Sequence, residues 1–185
     1  MITALAYFAI FIFAVDAQIY PSIITEVART PLGQGLILSS SYLLFPVTSV
    51  VAGYFADRIG KHFVLAVGAI VMAVPFILGG FLPVLQLRIV FALAFGIGGG
   101  IVEGQSSALL TDLLPDRERS VMNISQVFFC LGAAGGPFLI SLLYRLVPGI
   151  GARSILLGFG FTSLVLFPLF IISGFYRTEQ AMEHP

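Results

Sequence analysis

The length of the uncharged apolar runs limits how this chain can fold more than any other feature. Six such stretches lie at roughly 2–21, 33–55, 62–81, 85–114, 120–145 and 152–176. About 20 apolar residues, rising 1.5 Å each as an α-helix, cross the hydrocarbon layer of a bilayer. Short polar or Pro/Gly-bearing pieces separate the runs: SIITEVARTP, ADRIGK, the Leu-Pro at 82–83, LPDRERS and RLVPGIGARS. The pattern predicts an all-α membrane protein, a bundle of six transmembrane helices in one domain over residues 1–185. Lipid-facing β-strands are excluded, because the runs are too long and lack a period of two. Pro46, Pro75, Pro137 and Pro168 fall inside spans, where neighbouring helices can satisfy the backbone groups they free. The opening MITALAYFAIFIFAV lacks the basic stretch of a secretory signal and is expected to remain as a span.

Composition points to lipid as the solvent. Hydrophobic residues make up 58% and charged residues only 10%, with mean hydropathy +1.05. A soluble domain carries about 25% charged residues. Net charge is zero, so bulk electrostatics suggest no nucleic-acid partner. The single cysteine, Cys130, allows neither an intramolecular disulfide nor a zinc cluster. No metal or cofactor is expected. With six helices both termini share a side, which carries Arg58, Lys61, Arg117, Arg119 and Arg177; the other side carries Arg29, Arg88, Arg145 and Arg153. That excess, clustered in two short loops, places the termini in the cytoplasm and the protein in the cell membrane.

Polar residues fall into stripes at three- and four-residue spacing. Helix 4 has Gly96, Gly100, Glu103, Ser107 and Thr111, and helix 1 has Ala9, Phe13, Asp16 and Tyr20. Helix 2 has Ser39, Tyr42, Pro46, Ser49 and Gly53, and helix 5 has Asn123, Gln126, Cys130, Pro137 and Ser141. Helix 3 has almost nothing polar, and helix 6 only Thr162, Ser163 and Ser173, so these two suit lipid. Small residues alone can mean close helix packing. Carboxylates at depth need another reason, because a mid-membrane charge costs about 2.5–3.5 kcal/mol. Asp16 and Glu103 sit well inside spans, with no Lys or Arg at similar depth. A carboxylate so placed can be neutral in one state and charged in another, which makes both residues candidates for proton coupling. Tyr20, Tyr42, Ser107, Asn123 and Gln126 are the candidates to line a substrate cavity. No enzyme is expected: Ser106 and Ser107 are deep, but His62 and His184 lie outside the spans. The run GIGGG follows no strand and is no dinucleotide loop. The sequon at Asn123 lies on the cytoplasmic side, away from glycosylation.

The segment GYFADRIGKH, residues 53–62, resembles the loop 2–3 motif of the major facilitator superfamily. Gly53, Asp57, Arg58, Gly60 and Lys61 match it, with His62 at a position usually basic. TDLLPDRERSVMN resembles the acidic-then-arginine segment of loop 4–5, through Asp112 and Arg119. A narrower likeness is to the fucose–proton symporter branch, through VDAQIYPSII, GIGGGIVEGQSSALL and MNISQVFFCLGA, which supply Asp16, Glu103, Asn123 and Gln126. GAAGGP at 132–137 resembles the glycine–proline motif of exporters only in part, since FLIS follows where a second glycine pair belongs.

The resemblance implies the first six-helix half of a secondary transporter. It would move a small solute, a sugar on the narrower likeness, coupled to protons by alternating access. Helices 1 and 4 would line the cavity, 2 and 5 would meet the other half, and 3 and 6 would face outward. The loop residues would form a conformational latch. Gly53 and Gly60 would let helices 2 and 3 turn and approach, Asp57 would sit at a helix N-terminus of the opposite half, and Arg58 would pair with Asp112. The partners implied are a small-molecule substrate, protons, the lipid bilayer and a second six-helix half, from a second copy or a split partner. A truncated or non-transporting membrane partner or regulator, and an exporter of small hydrophobic compounds, are the alternatives.

Overall fold

The computed structural model describes residues 2–183, with side chains through residue 174. Six helical spans of membrane-crossing length and apolarity run over Ile2–Val27, Pro31–Ile59, Lys61–Phe81, Leu85–Leu113, Pro115–Leu146 and Ala152–Gly174. The number of spans is that of the six-helix half the resemblance implies.

Spans 1, 2 and 6 are each broken. Span 1 is α1 (Ile2–Asp16) and α2 (Ile19–Val27), and span 2 is α3 (Pro31–Leu43) and α4 (Phe45–Ile59). Spans 3, 4 and 5 are α5 (Lys61–Phe81), α6 (Leu85–Leu113) and α7 (Glu118–Leu146), with a 3-10 turn at Pro115–Arg117 before α7. Span 6 is α8 (Ala152–Leu164) and α9 (Leu166–Glu183). Each break has a proline just beyond it: Pro21, Pro46 and Pro168. A helical proline has no N–H for the carbonyl four residues back and crowds it. Those carbonyls belong to Ala17, Tyr42 and Leu164, all at or beside the breaks. Pro75 and Pro137 occupy the same chemical situation, yet α5 and α7 continue through them. Span 1 extends past residue 21 because the chain re-enters helix at Ile19 and carries Pro21 in its first turn.

Turns are set by local chemistry. Thr30 caps α3, its Oγ1 accepting from Gly33 N at 3.2 Å, with Pro31 at the first helical position. Gly60, at φ +93°, makes the turn from α4 to α5 in a region that side chains disfavour.

The packing separates buried from unpartnered spans. In the apolar stretches of spans 2 and 5 only 22% and 17% of residues are buried, against 56% in span 1, 50% in span 4 and 61% in span 3. Span 3 is thus more enclosed than its lack of polar stripes suggested. It packs against α6, α8 and α9 and shows only a narrow outer strip: Phe63, Val67, Val74, Leu78 and Phe81. An apolar helix without polar stripes suits a protein interior as well as it suits lipid. Small residues allow the contact: a Cβ on Gly98 would overlap the backbone of Met72, and one on Gly160 would press on Ile77.

Candidate functional site

Helix α6 is gripped on three sides through its glycines. Side chains at Gly96, Gly100 and Gly104 would collide with Ser41 O, Phe45 O and Ser49 Oγ, so that stripe packs on span 2. Gly99 meets the Phe13 ring of α1, and Gly98 meets α5. These glycines serve close packing. Glu103 lies four residues after Gly99 and three after Gly100, which puts it between the faces directed at α1 and at span 2. It is half-buried, and among the described residues no hydrogen bond or ion pair engages it. It stands ten residues, or about 15 Å, from the end of α6 at Leu113. Every Lys and Arg whose side chain is described lies in a loop or a terminal turn. Ser107, one turn on, has a buried Oγ with no hydrogen-bond partner. Gln105 turns to span 2, where its Nε2 donates to Ser49 O at 3.2 Å.

Asp16 faces another way. It is the last residue of α1, 1% exposed, and its Oδ2 accepts from Ser163 Oγ of α8. It also lines a groove of about 600 Å³ between spans 1, 5 and 6. No hydrogen bond or ion pair joins it to Glu103. Tyr20 is likewise 1% exposed, tilted against Phe76 of α5 at 5.5 Å between ring centroids, so its ring faces span 3. Tyr42 is 46% exposed, and its hydroxyl donates to Ala17 O at 3.2 Å. That carbonyl is the one Pro21 leaves without a helical donor, so Tyr42 closes the break in span 1 from span 2. Asn123 and Gln126 are exposed on α7, on the same broad face as Cys130 and Pro137.

The residues of loops 2–3 and 4–5 pair differently from the sequence expectation. Asp112 pairs with Lys61, whose Nζ also reaches Ala108 O at 3.4 Å. Arg58 instead lies over the Tyr54 ring, 4.2 Å from its centroid. The cause is the Gly60 turn, which starts α5 at Lys61 beside α6 and leaves Arg58 on the outer side of α4. Gly53 faces α6, where a Cβ would make an ordinary 3.8 Å contact with Gln105 Nε2, so close approach to span 3 does not require it. Asp57, in the last turn of α4, and Arg119, in the first turn of α7, are exposed.

At the opposite end sequence reasoning missed a junction. Glu26 accepts from Tyr144 OH at 2.5 Å through Oε1, and from Ala152 N at 2.9 Å through Oε2. It thereby ties span 1 to span 5 and to the first turn of α8. Arg88 donates to Val27 O, and Gln34 Nε2 to Ala28 O at 3.0 Å. A carboxylate and an arginine at span ends, 62 positions apart, were the available signal. Among the described residues no three His, Cys, Asp or Glu side chains gather as a metal site. His184 lies outside the described residues.

Curated proteins similar to this chain in sequence are transporters by name. The chain is 29% identical over 157 residues to the gallate transporter of Pseudomonas putida, covering 84% of this chain and 34% of that protein. It is 30% identical over 150 residues to the multidrug resistance protein MdtG of Dickeya zeae, covering 80% and 35%. It is 27% identical over 165 residues to the probable sulfoacetate transporter SauU of Cupriavidus necator, covering 88% and 38%. The chain thus spans about a third of the length of the curated relatives it matches. The sequence model of the Major Facilitator Superfamily matches residues 2–184. With six spans in that family's order, the chain belongs to the major facilitator superfamily as an integral, multi-pass membrane protein.

Proposed function

We propose that this chain is a six-helix half of a secondary transporter. It moves a small uncharged solute, of the sugar class, by alternating access, with the coupled proton carried on Glu103. The observation that carries the reading is the setting of Glu103: half-buried at depth, between faces gripped by glycine packing, with no cation to hold it charged. A carboxylate there is stable when protonated and becomes costly when ionised without water. Its ionisation therefore favours whichever conformation wets it, and that differential stability links proton flow to the direction the cavity faces. Ser107 Oγ, Tyr42, Asn123 and Gln126 offer neutral hydrogen-bonding groups to a solute. An anion would need a cation that these faces lack. Asp16 is a second protonatable group, reached from span 6.

The sparsely buried spans 2 and 5 support a partner half on those faces, from a second copy or a separate six-helix unit. Lys61, Asp112 and the exposed Asp57, Arg58 and Arg119 would form the latch with that partner on the cytoplasmic side. An exporter of small hydrophobic compounds is the second reading, favoured by the apolar groove beside Asp16.

The test is uptake into proteoliposomes of labelled L-fucose, gallate and a lipophilic cation dye, each with and without a proton gradient. Gradient-driven accumulation of the sugar, abolished by a protonophore, is expected. Movement of gallate or the dye in place of the sugar would replace the substrate class. No movement of any of the three would favour a non-transporting membrane partner.

A further inference from the structure

The breaks in spans 1 and 6 face each other. These spans run in opposite directions, so α1 and α8 approach from opposite sides of the bundle, and each stops within it, α1 at Asp16 and α8 at Leu164. Ser163 Oγ, donating to Asp16 Oδ2, fastens the two ends together. A helix C-terminus carries about half a negative charge. Two such ends and a carboxylate therefore meet at one place, with Asp16 at 1% and Ser163 at 0% exposure.

The breaks also take donors away from carbonyl oxygens. Gln18 N donates to Val15 O at 3.0 Å, which leaves Ala14 O without the N–H four residues on. Val165 N donates to Thr162 O at 3.2 Å, which does the same to Phe161 O. Pro168 has no N–H for Leu164 O. Ala17 O, freed by Pro21, differs because Tyr42 serves it. Backbone oxygens inside a membrane bundle require a donor or a cation. The described basic side chains are engaged elsewhere or lie in loops and terminal turns: Lys61 pairs with Asp112, Arg88 bonds Val27 O, Arg58 lies over Tyr54 and Arg153 over Phe81. A proton on Asp16 neutralises the carboxylate but serves none of the three carbonyls.

We infer that the paired ends of α1 and α8 form a binding site for a monovalent alkali cation. Asp16 Oδ1 and the carbonyl oxygens of Ala14, Phe161 and Leu164 supply its ligands, all hard oxygens. The C-terminal ends of interrupted membrane helices are suited to this task. One carboxylate balances one positive charge, whereas a divalent ion draws on several. The other described carboxylates near these spans do not join it: Glu26 binds Tyr144, and Glu103 makes no hydrogen bond or ion pair with Asp16. Ser163 is a positioning residue, holding Oδ2 and so fixing where Oδ1 points. The groove of about 600 Å³ lined by Asp16, Ser154 and Thr162 gives the ion an approach between spans 1, 5 and 6. The site goes beyond the Glu103 reading, and its occupancy can be measured without transport.

The test is equilibrium binding of radioactive sodium to the purified full chain in mild detergent, at fixed pH, with choline chloride holding the ionic strength. Saturable binding is expected, displaced by unlabelled sodium and not by choline. It should persist in Glu103→Gln and vanish in Asp16→Asn. In Ser163→Ala the dissociation constant should rise about tenfold or more, because a ligand loses the hydrogen bond that orients it. Thermal unfolding in choline chloride reports folding of each variant apart from the ion, and sodium should raise the midpoint of the unaltered chain but not of Asp16→Asn. Should Asp16→Asn not fold, the affinity of Ser163→Ala decides. Absence of saturable binding, which assigns Asp16 to a proton alone, overturns the site. So does binding unchanged in Asp16→Asn or in Ser163→Ala. Those outcomes leave the Glu103 reading standing, and loss of that reading leaves sodium binding unaffected.

Discussion

Replacing Lys61 with Met removes the positive end of its contact with Asp112 while keeping the apolar stem. Exposed ion pairs contribute about 0.2–1 kcal/mol. Here the Lys61 side chain is only 16% exposed, although that of Asp112 is 54% exposed. The pair therefore belongs near the upper end, at about 1 kcal/mol, a factor of about five in an equilibrium. The assay is a double-mutant cycle of Lys61→Met, Asp112→Asn and both together. Stability is read from reversible unfolding in mixed micelles at low salt. A coupling energy of about 1 kcal/mol is expected, shrinking as salt screens the exposed carboxylate. The parallel cycle with Arg58→Met should give a coupling near zero, because Arg58 stacks on Tyr54. If Arg58 couples to Asp112 as strongly as Lys61 does, the described geometry of the loop 2–3 turn is refuted.

Four further outcomes follow from separate parts of the structure. Gly98→Ala should destabilise by about 1–3 kcal/mol in the same unfolding assay, since its Cβ falls on the Met72 backbone. Gly35→Ala, with open space around it, should be neutral or slightly stabilising. Glu26→Ala should cost about 1 kcal/mol and speed hydrogen exchange at Ala152, because the first turn of α8 loses its carboxylate acceptor. Asp57→Asn should weaken solute uptake while leaving the unfolding transition in place; unchanged uptake kinetics would remove Asp57 from the latch.

The six spans are legible in the sequence because a bilayer imposes a length that a run of apolar residues either meets or misses. The sites of helix breakage are less so. Pro21, Pro46 and Pro168 accompany breaks and Pro75 and Pro137 do not, although each lacks the same N–H. The chemistry of proline alone does not separate the two groups, and at one break the freed Ala17 O takes its donor from Tyr42 on another span. Asp16 and Glu103 stand out by charge at depth, but their surroundings do not. The Ser163 hydroxyl that meets Asp16 is 147 residues away, on a helix whose poverty in polar groups made it look like a lipid face. Lys61 and Arg58 are three residues apart on opposite sides of Gly60, so the identity of Asp112's partner rests on one backbone angle. Span 3 illustrates the remaining ambiguity: hydropathy reports aversion to water, and lipid and protein interior satisfy it equally.

The central claim, that Glu103 carries the coupled proton, is tested most directly by Glu103→Gln in proteoliposomes loaded with labelled solute. Gln keeps the size of the protonated acid but cannot release a proton. The variant should lose gradient-driven accumulation, retain exchange of solute across the membrane, and show exchange that no longer varies with pH. Full accumulation by Glu103→Gln, with the pH profile of the unaltered chain, would contradict the account.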